Sequence, residues 1–118
     1  MYAEAICRAI YSAKFSYSKE SDLQRGIAQV LTESGVSFKA EVRLSDRDRI
    51  DFLTDDGTGI EVKVDMSPLE VVRQLWRYAD RDEVKRLVLV TTRAKHKAIL
   101  SEIKGKPVFV VHLLNSAL

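Results

Sequence analysis

Cysteine is nearly absent: Cys7 is the only one in 118 residues, so the chain can form no internal disulfide and no multi-cysteine zinc site. The two histidines, His96 and His112, are too far apart in sequence for ligand spacing, and each reads as a surface or sheet-end residue. Two prolines and five glycines are too few for a low-complexity or fibrous chain. No apolar run approaches the ~20 residues of a membrane span, and no charged-then-apolar leader opens the chain. The expectation is therefore an intracellular, cytoplasmic protein with no membrane partner. A large charge of one sign is missing too. With 19 basic and 17 acidic residues the net charge is +2, which permits a nucleic-acid partner without requiring one.

What is present suits one globular unit. Hydrophobic residues make up 46% and charged residues 31%, and the length allows one real core, so residues 1–118 read as a single domain. Tyr2, Ala3, Ile6, Ile10 and Ala13 recur at helical spacing over residues 2–14. Ser18 can cap a second helix running to about Ser34, with Gly35 as its stop and Leu23, Ile27, Val30 and Leu31 as its apolar stripe. Glu20 and Gln24 lie in one row with Ile27 and Leu31, whereas Asp22 points with Gly26 toward solvent. From Ser37 to Leu44, apolar residues alternate with Lys39, Glu41 and Arg43, the pattern of a half-buried strand. A charged tip, residues 45–49, leads to the next strand, and three strands in succession read as an antiparallel meander.

The segment from Ile50 to Asp65 is the most informative. Glu61, Lys63 and Asp65 alternate with Ile60, Val62 and Val64, so the charges share one strand face. Asp51, between Ile50 and Phe52, is expected to turn away from an apolar face as well. For Asp51 to face the same way as Glu61 in a plain hairpin, the loop must hold an odd number of residues, three or five around Asp56-Gly57. Two carboxylates and an ammonium one strand step (~6–7 Å) along can hold a divalent cation beside a phosphate. A half-exposed edge hairpin shows the same alternation, and that reading predicts no cleft above residues 51, 61 and 63.

After Asp65 the helix grammar is plain. Ser67 is a candidate N-cap, Pro68 suits the first helical position, and Glu70 completes a capping box. Leu69, Val72, Leu75, Trp76 and Ala79 form the expected buried face, with Gln74 and Tyr78 on its border. The run from Arg86 to Thr92 reads as a strand covered on both faces. A helix is expected from about Lys95 to Ile103, then a buried strand from Val108 to Leu114. Strand–helix–strand with short joints implies parallel pairing. The fold class is α/β: a three-layer domain with a central mixed β-sheet flanked by helices.

In that order, the helix with an acid, the Asp51 strand, the Glu61-Val62-Lys63 strand and the helix with Gln74-x-x-x-Tyr78 resemble the PD-(D/E)xK nuclease superfamily, in its RecB-like and Holliday-junction-resolvase-like branches. Ile50-Asp51 stands where Pro-Asp would. The resemblance implies a restriction-endonuclease-like fold and Mg²⁺- or Mn²⁺-dependent hydrolysis of DNA phosphodiester bonds by an endonuclease. Asp51 and Glu61 would hold the metal with the Val62 carbonyl, and Lys63 would orient the attacking water. Glu20 would bind a second metal or a metal-bound water, with Asp22 and Gln24 as competitors for that place and Glu41 as a possible addition to the acids. Gln74 and Tyr78 would support the site or touch the substrate backbone. Carboxylates clustered without a cation should repel one another and raise their pKa values.

Arg43, Arg47, Arg49, Arg73, Arg77, Arg93, Lys95 and Lys97 are candidate phosphate contacts, although most surface cations are merely solvated. A homodimer through Trp76 or the first helix fits one active site cutting one strand. Two other classes remain open. One is a junction-resolving endonuclease, and the other is a non-catalytic nucleic-acid- or protein-binding module that keeps the fold.

Overall fold

The computed structural model describes residues 2–113, in three α-helices and six strands. Local chemistry accounts for the helix ends. The third helix, α3 (Pro68–Ala79), starts where the Ser67 hydroxyl accepts the Glu70 N–H at 3.2 Å, with Pro68 in the first turn where no amide donor is needed. In α2 (Glu20–Glu33) the helix begins one residue later than a Ser18 cap would set it. Lys19 holds the N-cap position, and the Asp22 carboxylate reaches back to the N–H groups of Ser18 and Lys19. Its far end closes on Gly35, at φ 77°, with Gly35 N–H on Thr32 O and Val36 N–H on Leu31 O. The first helix, α1, covers Ala3–Ser12.

The strands β1 (Phe38–Arg43), β2 (Arg49–Thr54), β3 (Thr58–Lys63), β4 (Arg86–Thr91), β5 (Glu102–Ile103) and β6 (Lys106–His112) form one mixed sheet in the order β1-β2-β3-β4-β6-β5. The first three make the expected antiparallel meander, and β3–β4 and β4–β6 are parallel. Helices α1 and α2 cover one face through Ile6, Ile10, Leu23, Ile27 and Leu31 packed on Ile60, Val62, Val88 and Val90. On the other face α3 packs Val71, Leu75 and Tyr78 against Leu87 and Leu89. This is a three-layer α/β arrangement. β3 lies at its centre, and all six of its residues are buried, Glu61 and Lys63 included.

Three expectations change. The span 95–103 is no helix: a 3₁₀ turn (Ala94–His96) precedes the short β5, which folds back on β6 through Lys104-Gly105, both at positive φ. That pair makes a tight two-residue hairpin turn, and Ile103 enters the core as a strand residue. The expected strand from Val108 starts two residues earlier, at Lys106, and its expected end at Leu114 lies outside the described residues. The buried stripe of α3 is Val71, Leu75, Tyr78 and Ala79, while Leu69 and Trp76 are 59% and 46% exposed. Two apolar stripes compete on this helix, and the one carrying Tyr78 meets the sheet.

The β2–β3 hairpin positions the site. Its loop holds three residues, Asp55 to Gly57, and the register Phe52↔Ile60, Leu53↔Gly59 would bring Asp51 opposite Glu61. The ladder stops one step short of that pair. Phe52 packs beneath α2 and stacks edge-on against Phe38 at 5.7 Å, yet Ile50 packs under α3 with Leu44. Two residues of equal parity therefore enter opposite layers, so β2 crosses over at Asp51. Beside it β1 turns at Glu41, which has φ 53°. Gly59 makes room for the crossing. A Cβ there would lie 2.5 Å from Ile50 Cδ1. The expectation that Asp51 opposes one apolar face shared by Ile50 and Phe52 gives way to a fork between β2 and β3.

Candidate active site

Where β2 and β3 part, each strand loses ladder partners, and the two carboxylates replace them. Asp51 N–H donates to Glu61 Oε1 at 3.2 Å, and Val62 N–H donates to Asp51 Oδ2 at 2.8 Å. Glu61 Oε2 lies 2.9 Å from Lys63 Nζ, and Asp51 Oδ1 accepts from Gln24 Nε2 at 3.1 Å. All four carboxylate oxygens thus have a protein donor. Glu61 is 2% exposed and Lys63 7%, so this is an interior ion pair in a central strand. Such burial carries a desolvation penalty of several kcal/mol per ion, which a surface hairpin would not incur.

Electrostatics follow from that burial. Burial first, then the Asp51 charge, pushes the Glu61 carboxyl up to about 7 against the pull of Lys63. Burial likewise raises Asp51, opposed by the Val62 N–H and by Lys63, while Glu20 adds to the rise. The Tyr78 hydroxyl donates to Arg49 O at 3.1 Å. Burial and then the charges of Glu61 and Asp51 raise the phenol well above its usual range, which keeps it a donor at neutral pH.

The α2 layer contributes Glu20 and Gln24, one helical turn apart. Gln24 reaches Asp51, whereas Glu20 Oε1 accepts the Val64 N–H at 3.3 Å just past Lys63. Asp22 stays at the helix start, paired with Arg25. Exposed Glu41 shares a cavity of about 220 Å³ with Gln24 and Asp51 and lies 3.8 Å from Arg49. From α3, the Gln74 side-chain oxygen is buried with no hydrogen-bond partner among the described residues. A buried acceptor without a donor is costly, and it lies in the helix that carries Tyr78.

The backbone beyond Lys63 is held from several sides. Arg93 Nε and Thr92 Oγ1 donate to Val64 O, at 2.8 and 3.4 Å. His96 is fully buried, contrary to its reading as a surface or sheet-end residue. Its Nε2 lies 2.7 Å from Met66 O and its Nδ1 2.6 Å from the Thr91 hydroxyl. In the neutral ring the Met66 carbonyl demands the N–H at Nε2, which leaves Nδ1 to accept from Thr91. Met66 has φ 96°, and the His96 bond fastens that strained residue at the start of α3. No sequence spacing announces this contact.

The cations divide by use. Arg77 Nε bonds Asp48 Oδ1 at 2.7 Å, and Asp48 is buried beneath it. Arg93 is committed to Val64 O, and it and Lys95 lie 3.9 and 3.6 Å from Asp65. Arg43 donates to Asp46 O, while Arg47 and Arg73 are exposed and carry no ion pair among the described residues. By register, the end of β1, the start of β2 and the carboxyl ends of β3 and β4 share one end of the sheet. Arg43, Arg49 and Arg93 therefore flank the end at which Lys63 sits.

The donor set suits a hard divalent ion in kind: two adjacent carboxylates whose pKa values are raised by burial and, for Glu61, by its neighbour's charge. Among the described residues, no three His, Cys, Asp or Glu side chains are gathered as a ready cation cage. Lys63 supplies the positive charge instead. Compared with family models, with curated proteins and with solved structures, the chain finds no match.

Proposed function

We propose that this chain is a Mg²⁺- or Mn²⁺-dependent nuclease that hydrolyses DNA phosphodiester bonds as an endonuclease, in the manner of the PD-(D/E)xK proteins its motifs resemble. One observation carries the reading: Asp51, Glu61 and Lys63 are brought together inside the protein, at the fork of β2 and β3. Interior charge of this kind is costly, and functional sites are where such cost concentrates.

In this reading Asp51 and Glu61 hold the metal, with the Val62 carbonyl as a further oxygen. When bound, the metal lowers the pKa of its water and polarises a phosphate oxygen. Lys63 exchanges its contact with Glu61 for the substrate, orients the attacking water and offsets charge that builds on the phosphate. Gln24 keeps the Asp51 carboxylate in its rotamer. Tyr78 fixes the Arg49 backbone beside it, and the Gln74 oxygen is a spare acceptor for a bound water. Glu20 serves the main chain at Val64, and a second metal or a metal-bound water would share that carboxylate. Arg43, Arg47, Arg49 and Arg73 are the cations available to the DNA backbone at that end of the sheet.

The test is incubation of purified protein with supercoiled plasmid and with branched DNA, in Mg²⁺, Mn²⁺ or EDTA. Metal-dependent nicking is expected, with faster cutting of the junction if the enzyme is of the resolvase kind. Lys63→Met, which keeps the stem, should lose at least about a hundredfold in rate. Equal cutting by Lys63→Met would refute the role of Lys63. One observation favours a second reading, a non-catalytic nucleic-acid-binding module: Lys63 already neutralises Glu61, and every carboxylate oxygen has a donor. Calorimetry with Mn²⁺ separates the two, because the module predicts no divalent site.

A further inference from the structure

On the far side of the sheet from the fork, strand β6 has an open edge. Its outer neighbour β5 pairs only with Lys106 and Pro107, and Val108 N–H donates to Ser101 O at 2.9 Å. Beyond that no described residue pairs with the edge. Leu113 N–H donates inward to Thr91 O at 2.8 Å, so strand alternation turns Phe109 and Val111 toward β4 and the backbone groups of Val110 and His112 outward. Those outward groups have no hydrogen-bond partner among the described residues. Natural sheets blunt such edges with charge or proline, but here Lys106 and Pro107 stand at the end that β5 already covers.

Beside this edge lies a groove of about 490 Å³ between β6 and α1, lined among others by Cys7, Arg8, Tyr11, Lys97, Val110 and His112. Its floor is apolar, and Tyr11 is 63% exposed. Among the described residues, Arg8 and Lys97 make no ion pair and no carboxylate lines the groove. Burial, and after it Glu4, pushes the Cys7 thiol up to about 11, so Cys7 offers a contact surface rather than a nucleophile.

We propose that this groove binds an extended, acidic segment of a partner protein, which adds to β6 as a further strand. Main-chain bonds to Val110 and His112 give the segment its direction, Val110, on the α3 side of the sheet, takes its apolar residues, and Arg8 and Lys97, on the α1 side, take its carboxylates. Charge chooses among the occupants. A second copy paired across a two-fold axis would bring Arg8 and Lys97 close to their own counterparts. A nucleic acid would satisfy the cations, but it has no use for a strand edge or an apolar floor. The proposal does not depend on the nuclease reading.

The test uses the full chain and an end-capped, fluorescein-labelled seven-residue peptide of alternating glutamate and valine, with a lysine–valine peptide as control, read by fluorescence anisotropy. Micromolar binding of the acidic peptide is expected, at least tenfold tighter than the control and unchanged by EDTA. Val110→Pro removes one outward N–H while sparing the ladder to β4. It and the double variant Arg8→Glu/Lys97→Glu should each weaken binding at least tenfold. Circular dichroism checks their folding, and the surface double variant carries the test alone if the proline variant unfolds. No binding at millimolar peptide, or equal binding by both variants, overturns the proposal. So does a dimer in sedimentation that Val110→Pro dissociates, since the edge would then be a homotypic interface. Duplex DNA binding lost in the double variant and kept in Val110→Pro would make the groove a nucleic-acid contact instead.

Discussion

At Glu61, burial and the Asp51 charge act against Lys63 to set the pH response of the metal-free protein. A carboxyl whose folded pKa lies above its unfolded value holds more protons folded than unfolded in the window between, so stability falls as pH rises through it. For Glu61 that window runs from 4.5 to about 7, and the raised Asp51 works in the same direction. The surface acids Asp22, Asp56 and Asp65 are shifted downward and work in the opposite sense, each weakly because water screens them. Urea unfolding in EDTA should show the wild type losing on the order of 2–3 kcal/mol between pH 4.5 and 8 relative to Glu61→Gln. Matching pH profiles for the two proteins would contradict the buried, raised carboxyl. Arg77 makes a separate point at this scale. Arg77→Ala leaves Asp48 buried and unpaired, and chemical denaturation should register a loss of about 1–3 kcal/mol.

Among the elements, the β2–β3 hairpin was the one whose sequence spoke most plainly and whose structure still differed. The alternation of Glu61 and Lys63, the three-residue loop and the register toward Asp51–Glu61 follow from period two and turn length, and all are local. The crossing of β2 between layers is not local. It rests on Gly59, whose missing side chain lets Ile50 reach the α3 layer. Gly59→Ala should therefore cost about 1–3 kcal/mol by overpacking and also depress metal-dependent cleavage, because it pushes Ile50 and with it Asp51. Gly57→Ala is the control. At φ 92°, with a Cβ 2.5 Å from Lys85 Cγ, it should destabilise by a similar amount but leave the per-molecule cleavage rate of the folded fraction intact. Equal loss of rate in both variants would mean that the fork is not what Gly59 protects.

For the molecule as a whole, the test is linkage between metal and folding. An ion that binds only the folded state stabilises by about 2.7 kcal/mol at a hundred times its Kd, a Tm rise on the order of 10 °C for a domain of this size. Scanning calorimetry should show that rise with Mn²⁺ in the wild type and its absence in Asp51→Ala. An unchanged wild-type Tm would favour the non-catalytic module. The membrane question is simpler: among the described residues no helix is long and apolar enough to cross one.

Sequence alone determined the α/β order, the meander, the Ser67 cap with Pro68, the Gly35 stop and the residues Asp51, Glu61 and Lys63, because periods, caps and turns are set by neighbours within about four positions. Tertiary structure decided the rest: that the Glu61–Lys63 pair is interior, that Gln24 rather than Glu20 reaches Asp51, that His96 anchors Met66, and that residues 95–103 give up a helix for a strand on β6. Each of these depends on which apolar stripe wins a place against the sheet. That contest is settled between segments 25 or more residues apart, beyond the reach of any local pattern.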